Sequence, residues 1–327
     1  MKGGTTAPAI LLALASLAMA QTVEKVNYGG WPNCYRISNG TVELIVTSDV
    51  GPRIIRYGFI GGQNLFKEFK EQMGKSGEPD WQIRGGHRIW VAPEVAQEIS
   101  PITYAVDNDP VKIDVTATGL VATPPLEEEA GLQKQIEVRL AASGTQVQVS
   151  HRITNRNIWA IELAPWALTV MAPGGVGLTG LPPRGTHPEV LAPTNPLIIW
   201  AFTNLGDPRW IFLNKYIGLR QDPKNKVPQK IGHFNSDTWG AYYLNGELFL
   251  KRYAAFPGKT YADMGASFEM FTNGDMLELE TLGPLTRLKP GETVEHVETW
   301  SLHRGIKIDR FDDATLDRVL KPLVEAQ

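Results

Sequence analysis

Apolar residues alternate with polar ones along most of the chain, and this alternation constrains the fold more than any other feature. Val42, Leu44 and Val46 point one way while the residues between them point the other. Side chains of a β-strand project alternately to its two faces, so a period of two predicts strands with one buried face. The same period recurs in further runs, at 111–118, 136–140, 147–153, 248–253, 276–282 and 294–303.

Turn-forming clusters separate these runs, as in "AVDNDP", "TNGD" and "LKPGET". A helical pattern is nearly confined to the C-terminus, where Asp312 or Asp313 can cap a segment with Leu316 and Leu320 on one face. No linker or change of composition divides the chain. We therefore predict one all-β domain over residues 21–327, a large antiparallel two-sheet β-sandwich with a short C-terminal helix.

The first twenty residues are predicted to be a signal peptide. Lys2 gives a short positive start, and "AILLALASLAMA" is an apolar stretch that ends in a small-x-small pattern before Gln21. This stretch is shorter than the roughly twenty residues that span a bilayer comfortably. We expect cleavage after Ala20, export to the periplasm or outside the cell, and no membrane association of the mature chain.

Composition and motifs exclude several classes of function. Cys34 is the only cysteine, so no disulfide can form within the chain and its stability must rest on the core. The net charge is −3 with both signs scattered, which argues against a nucleic-acid partner. The sequence lacks the spacings of metal sites, of phosphate loops and of serine nucleophile elbows. We expect neither a metal nor a cofactor.

The segment "IRGGHRIWVAPE", residues 83–94, gathers Arg84, His87, Arg88, Trp90 and Glu94 within twelve positions. Arginine, histidine and glutamate are costly to bury unpaired, whereas a surface loop seldom carries isoleucine, tryptophan and valine so close together. Sugar-binding clefts combine polar groups with flat aromatic rings. The segment therefore predicts one wall of such a cleft, with the two glycines letting the backbone turn.

Two further segments carry polar groups of interest. Glu278 and Glu280 in "MLELETLGPL" share one strand face because the alternating leucines take the other, so both face either solvent or a cleft. The loop-like run "QKIGHFNSDTWGAYY" holds Lys230, His233 and Trp239. It suits a polar binding lip, and it suits an ordinary hydrophilic loop equally well.

Three segments together resemble the galactose-mutarotase-like superfamily, whose members are antiparallel β "supersandwich" domains that handle carbohydrates. They are "YRISNGTVELIVTSDVGPRIIRYGFIGGQNLF"; "IRGGHRIWVAPE", which resembles a phrase of the hexose-6-phosphate epimerase branch; and "LELET" followed by "LKPGETVEHVETWSL". The resemblance spans most of residues 28–303. More narrowly, "GGHRIWVAPE" with "ELAPWALTVMAPGG" resembles the uncharacterised bacterial DUF4380 branch, which implies a fold but no established reaction.

The resemblance implies roles for individual residues. Arg84 would contact a sugar hydroxyl or an anion, and Glu280 would be the base that takes the proton of the anomeric hydroxyl. The family's acid is a histidine shortly after a "TN" phrase. Here "ITN" precedes "ELAPWALTVM", which has no histidine and places Trp166 near the expected position. His87 or His233 would then have to supply the proton from another direction.

Three functions stay open at this point. The first is a carbohydrate epimerase or mutarotase with Glu280 as base and His87 or His233 as acid. The second is a carbohydrate-binding protein that has lost the acid, and the third is a structural domain whose aromatic residues are all core. Convergence of His87, His233, Arg84 and Glu280 in one concave pocket would separate the first two from the third.

Both carbohydrate hypotheses share the same binding residues. Arg84, Arg88 and Lys230 would hold hydroxyls or the carboxylate of a uronic acid, which an exported protein meets more readily than a hexose phosphate. The remaining predicted contacts are two carboxylates and three indole rings that would stack on the sugar, namely Glu94, Glu278, Trp90, Trp166 and Trp239.

Overall fold

The computed structural model describes residues 21–94 and 107–326, so the predicted signal peptide lies outside the described residues. These residues form twenty-one β-strands and one α-helix. In chain order they are β1 Thr22–Tyr28, β2 Trp31–Ser38, β3 Val42–Thr47, β4 Arg53–Phe59, β5 Gly86–Ala92, β6 Lys112–Thr116, β7 Gly119–Thr123, β8 Leu132–Leu140, β9 Val147–Asn155, β10 Ile161–Met171, β11 Val176–Gly180, β12 Leu197–Ile199, β13 Trp210–Phe212, β14 Tyr216–Arg220, β15 Gln229–His233, β16 Trp239–Leu244, β17 Glu247–Tyr253, β18 Phe268–Thr272, β19 Leu277–Leu282, β20 Thr286–Leu288, β21 Thr293–Arg304 and α1 Asp313–Glu325.

The strands form two large antiparallel sheets, as predicted. The first sheet has the order β1-β2-β3-β4-β5-β10-β19-β18-β15-β12, with β20 beside one end of β10. The second sheet has the order β13-β14-β11-β16-β17-β21-β9-β8-β7-β6. Strands β5, β10 and β19, which are far apart in sequence, therefore lie side by side in the middle of the first sheet.

The main core lies between the two sheets and contains the residues that the alternation marks as apolar. In β9, for example, Val147, Val149 and Ile153 are fully buried against the first sheet. Four large aromatic rings from both sheets, Tyr57, Phe66, Phe249 and Trp300, meet with centroids 5.5–6.2 Å apart. Burying each such side chain stabilises the fold by about 1.5–3 kcal/mol, which supplies the stability expected of a chain without disulfides.

Helix α1 covers the outer face of the second sheet. Leu316 and Leu320 are fully buried against that sheet. Asp312 is the N-cap, and its carboxylate accepts a hydrogen bond of 2.8 Å from the backbone N–H of Thr315. The predicted cap and the predicted apolar face are thus both present. In the described part of the chain, no helix has the length and apolar character needed to cross a membrane.

The central strands of the first sheet also bury part of their outer face. Trp90 and Trp166 belong to a small apolar cluster there, which is completed by Tyr261 and Ala262 from the loop before β18. One prediction is wrong here: the run that was expected to be a loop contains β15 and β16 with a short turn between them. Its alternation was masked by polar residues that are buried on both faces of β15.

Candidate functional site

The segment 83–94 begins with a tight turn that leads into β5. Arg84, Gly85 and Gly86 all have positive φ, at 50°, 95° and 69°. A Cβ atom on Gly86 would lie 2.4 Å from the carbonyl oxygen of Ile54, so only glycine lets β5 approach β4 this closely. From Gly86 onward the strand alternates, and Arg88 points to the outer face of the sheet.

A groove of about 290 Å³ lies on that outer face. Its walls are mostly aromatic, and its polar lining consists of two cations and two carboxylates. The aromatic residues are Trp81, Trp90, Trp166, Trp200, Phe202 and Phe271, and the charged ones are Arg88, Lys230, Glu94 and Glu278. Strand register explains this assembly, because Leu168 of β10 pairs with Arg88 of β5 on one side and with Glu280 of β19 on the other.

Arg88 forms one half of the charged lining. Its Nη1 donates a hydrogen bond of 3.0 Å to Oε1 of Glu278. The guanidinium carbon lies 4.2 Å from the ring centroid of Trp90 and 5.5 Å from that of Trp81. Burial raises the pKa of Glu278, although the charge of Arg88 opposes this shift. Arg88 is thus held by an ion pair and by two indole rings at once.

Lys230 forms the other half in the same manner. Its Nζ lies 2.8 Å from Oε2 of Glu269 and 2.9 Å from Oε2 of Glu280. The ammonium also stands 4.9 Å from the ring centroid of Trp166 and 4.7 Å from that of Trp200. Burial alone would lower the pKa of Lys230, but the two carboxylates outweigh burial and raise it, so the side chain stays charged.

Glu280 lies beneath this layer and is fully buried. Its Oε2 accepts hydrogen bonds from Nζ of Lys230 at 2.9 Å and from Nε1 of Trp166 at 2.8 Å. Within the described chain, no hydrogen-bond partner reaches its Oε1. Glu269 is paired with Glu280 across β18 and β19, and burial together with the charges of Glu280 and Asp263 raises the pKa of Glu269 well above its usual value despite Lys230.

The two candidate acids, His87 and His233, do not line this groove. His87 follows Gly86 on the opposite face of β5 and is fully buried between the sheets, with Nδ1 2.8 Å from Oγ1 of Thr169. His233 is also buried, with Nε2 3.3 Å from Oγ1 of Thr179. The alternation of a strand places each of them on the core side, where no groove ligand can reach them.

Arg84 and Trp239 lie elsewhere as well. The Arg84 guanidinium is enclosed by the chain and donates hydrogen bonds of 2.6 Å to Glu78 and to Asn108, so it ties loops together. Trp239 belongs to the second sheet and borders a different cleft, of about 860 Å³, beside α1. The four residues chosen as a criterion, Arg84, His87, His233 and Glu280, therefore do not converge. The groove instead unites other predicted residues: Arg88, Trp90, Glu94, Trp166, Lys230 and Glu278, with Glu280 beneath them.

His87 belongs to a polar cluster that is buried between the sheets. Its Nε2 lies 2.7 Å from Nε2 of His151, and Nδ1 of His151 lies 2.9 Å from the carbonyl oxygen of His296. Glu298 completes the cluster and forms a fully buried ion pair of 2.9 Å with Lys251. Of these residues the sequence analysis singled out His87, and it assigned that side chain to the cleft rather than to the core.

Three donor groups of this cluster, from His87, His151 and Glu298, lie within 4.8 Å of one another and offer the ligand types of a metal site. The hydrogen bonds favour a different arrangement. His151 must donate from Nδ1 to a carbonyl, so its Nε2 accepts the proton of His87 Nε2. A divalent cation would also stand beside the Lys251 ammonium, which already neutralises Glu298. The cluster is best described as a satisfied hydrogen-bond network.

Trp81 and Trp200, which line the groove, and Glu269, which is buried beside Lys230, were not indicated by the sequence. Glu269 lies between Phe268 and Met270 in β18, whose side chains point into the core. The same alternation that assigned a face to Glu278 and Glu280 would have assigned Glu269 to the outer face. Trp81 and Trp200 lie outside the strands, where no periodic pattern indicates which way a side chain points.

Comparison with solved structures shows the fold. A Klebsiella pneumoniae protein provisionally named an aldose 1-epimerase superimposes with a TM-score of 0.59 at 11% identity, covering 93% of this chain and 86% of that one. A galactose mutarotase-like protein from Lactobacillus casei superimposes with a TM-score of 0.55 at 11% identity, covering 83% and 100%. A galactose mutarotase related enzyme from Lactobacillus acidophilus gives 0.53 at 10% identity, covering 84% and 100%.

Sequence comparison adds nothing to this result, because no protein-family model matches the chain and no curated protein matches it. The galactose-mutarotase-like fold expected from the sequence is therefore confirmed by structure. The narrower resemblance to the DUF4380 branch stays a prediction.

Proposed function

We propose that the protein binds a carbohydrate in the groove on the outer face of the first sheet. The observation that carries this proposal is the pairing of aromatic faces with charged hydrogen-bonding groups in a single concavity. Trp166 and Trp200 flank Lys230 there, while Trp90 and Trp81 flank Arg88. Sugar rings present apolar faces and a rim of hydroxyls, so they match such a lining. The mutarotase-like fold supports the same ligand class.

Binding without catalysis is the form of this proposal that the geometry favours. Ring opening of an aldose needs a base and an acid at one ring position. The expected base, Glu280, is fully buried beneath Lys230 and Trp166, and none of the described residues that line the groove is a histidine. A ligand at the groove surface therefore meets donors, aromatic rings and the carboxylates of Glu94 and Glu278, but not the expected base Glu280.

Epimerase or mutarotase activity is the second candidate, and one observation favours it. The buried Oε1 of Glu280 has no hydrogen-bond partner in the described chain. An unsatisfied carboxylate oxygen is costly inside a protein, and an anomeric hydroxyl would satisfy it. Catalysis at this atom would require the Lys230 side chain to move aside when the sugar enters.

We also propose that the protein is exported, on the strength of the N-terminal sequence pattern, and that it meets its ligand in the periplasm or outside the cell. Detection of a mature N-terminus at Gln21 by mass spectrometry of the protein from cells would support this proposal. Protein from cells that still carries residues 1–20 would contradict it.

Saturation-transfer NMR of the purified protein with a panel of neutral, acidic and amino sugars tests the proposed binding. We expect transfer to at least one sugar, and its loss in Trp200→Ala, which removes a half-buried ring over Lys230. Trp159→Ala is the matched control, because Trp159 is 60% exposed and lies outside the groove. Absence of transfer to every sugar would refute the proposal.

The same samples decide between binding and catalysis. Faster exchange between the anomers of a bound sugar, abolished by Glu280→Gln, would establish the second candidate. Binding without accelerated exchange would establish a binding protein. In both outcomes the folded state of each variant is checked by its urea denaturation midpoint.

A further inference from the structure

Carboxylates outnumber cations in and around the groove. The two cations are Arg88 and Lys230. The lining carboxylates Glu94 and Glu278 are joined beneath the surface by Glu280, Glu269 and, from the loop before β18, Asp263, which interacts electrostatically with Lys230 and Glu280. Among the described residues, five acidic side chains therefore lie around two basic ones.

Both cations are already opposed by carboxylates. Arg88 has Glu278 at 3.0 Å, and Lys230 has Glu269 and Glu280 within 2.9 Å. An acidic sugar would bring another negative charge into this set, and like charges in a partly buried site repel one another by several kcal/mol. Arg88 and Lys230, from which the sequence analysis predicted a uronic acid ligand, thus already form ion pairs with carboxylates of the protein.

The aromatic faces of the groove already hold cations. Each of the two basic groups stands over two indole rings at 4.2–5.5 Å from their centroids. Carboxylates beside aromatic faces are the combination that proteins use to recognise ammonium groups. The lining is therefore chemically suited to a positive ligand.

A buried oxygen adds a second, independent observation. Oε1 of Glu280 is buried and has no hydrogen-bond partner in the part of the chain that the structure describes, whereas Glu269 interacts with Asp263. Burial also raises the pKa of Asp263. An added ammonium group would bring a positive charge next to these buried carboxylates.

We infer that the ligand of this groove is an amino sugar with a free ammonium group, rather than a neutral sugar or a uronic acid. This inference rests on the proposed carbohydrate binding and specifies the substrate class. Asp263 is the carboxylate through which it is tested, because it is only partly buried and has a φ of 50°. Asparagine adopts this left-handed conformation readily, so Asp263→Asn removes the charge without disturbing the loop.

Isothermal titration at about pH 6 with three methyl glycosides of one ring geometry, those of glucosamine, glucose and glucuronic acid, compares a cation, a neutral sugar and an anion. We expect the glucosaminide to bind about tenfold more tightly than the glucoside, with the glucuronide weakest. Higher salt is expected to reduce the first difference. Methyl glycosides cannot interconvert anomers, so the titration reports binding alone.

Asp263→Asn is expected to weaken glucosaminide binding severalfold and to leave glucoside binding unchanged. Asp114→Asn, which removes an exposed carboxylate at the far edge of the second sheet, is the matched control and should change neither. Equal affinity for the glucosaminide and the glucoside, or tighter binding of the glucuronide, would overturn the inference while leaving carbohydrate binding intact. Binding of none of the three would overturn the proposed function and this inference with it.

Discussion

The buried ion pair between Lys251 and Glu298 allows a sharp test of what stabilises the interface between the sheets. Both side chains are fully buried, their charged atoms lie 2.9 Å apart, and Lys251 also donates a hydrogen bond of 3.2 Å to the carbonyl oxygen of Leu279. Lys251→Met keeps the length of the side chain and removes the charge. Among the described residues, Glu298 then keeps hydrogen bonds from Thr281 and Trp300 and remains buried.

An uncompensated buried charge destabilises a protein by about 3–5 kcal/mol. We expect a loss of this size in the free energy of unfolding of Lys251→Met at neutral pH. Burial raises the pKa of Glu298, but Lys251 and the neighbouring histidines keep it below its usual value. Without Lys251 the carboxyl takes up a proton as the pH falls, so the loss should shrink in acid.

Urea denaturation followed by tryptophan fluorescence measures both effects. The double variant Lys251→Met, Glu298→Gln removes both charges, and it should be more stable than Lys251→Met by at least about 1.5 kcal/mol. Glu298→Gln alone is the control, because it shows how much the change from carboxylate to amide itself alters the free energy of unfolding. A loss below about 1 kcal/mol in Lys251→Met, or no recovery in the double variant, would show that the pair is not the buried ion pair described above.

Two further predictions concern the same interface and the turn before β5. Burial lowers the pKa of His296 to about 3, below the value of about 6.5 in an unfolded chain, so its contribution to stability is present above pH 6.5 and is lost as the pH falls toward 3. Between pH 7 and 5 the lost contribution of His296 amounts to about 2 kcal/mol. The urea denaturation midpoint of the unsubstituted protein should therefore fall between these pH values, and the midpoint of His296→Gln should fall less. An equal fall in both proteins would contradict the lowered pKa of His296. Gly86→Ala should destabilise the fold by about 2–4 kcal/mol, through both its positive φ and a clash with Ile54, whereas Gly61→Ala, with a φ of 70° and open space around it, should lose only the conformational part. Equal losses of stability in the two variants would show that the clash with Ile54 contributes nothing to the destabilisation by Gly86→Ala.

The fold could be predicted because its causes are local. Alternation in 147–153 and 276–282 marks strands whatever their partners, and Asp312 caps its helix through a bond to a residue only three positions away. The antiparallel sandwich and the C-terminal helix rest on such patterns, whereas the superfamily resemblance rests on three quoted segments. Polar residues in β15 concealed one strand, since burial there is achieved by hydrogen bonding rather than by apolar side chains.

The groove was only partly predictable because strand pairing is not local. Arg88 and Trp90 come from the predicted segment, but their neighbours His87 and Arg84 were assigned to the cleft from their closeness in sequence and from the superfamily resemblance. In a strand, adjacent residues lie on opposite faces, so His87 belongs with His151 across the core. Which face of β5 packs into the core depends on how β5, β10 and β19 pair. The register of that pairing cannot be predicted from any one segment alone.

The central position of β10 has a consequence for how the chain acquires its structure. Its two long neighbours, β5 and β19, lie about 70 residues before it and more than 100 residues after it. Contacts between such distant segments form slowly, because a long loop must close before they contribute stability. Until Leu277–Leu282 has been synthesised and has docked, β10 is an open edge with an apolar inner face. An open edge of this kind pairs readily with other chains. Fragments that end before β19, and folding intermediates that lack it, should therefore aggregate.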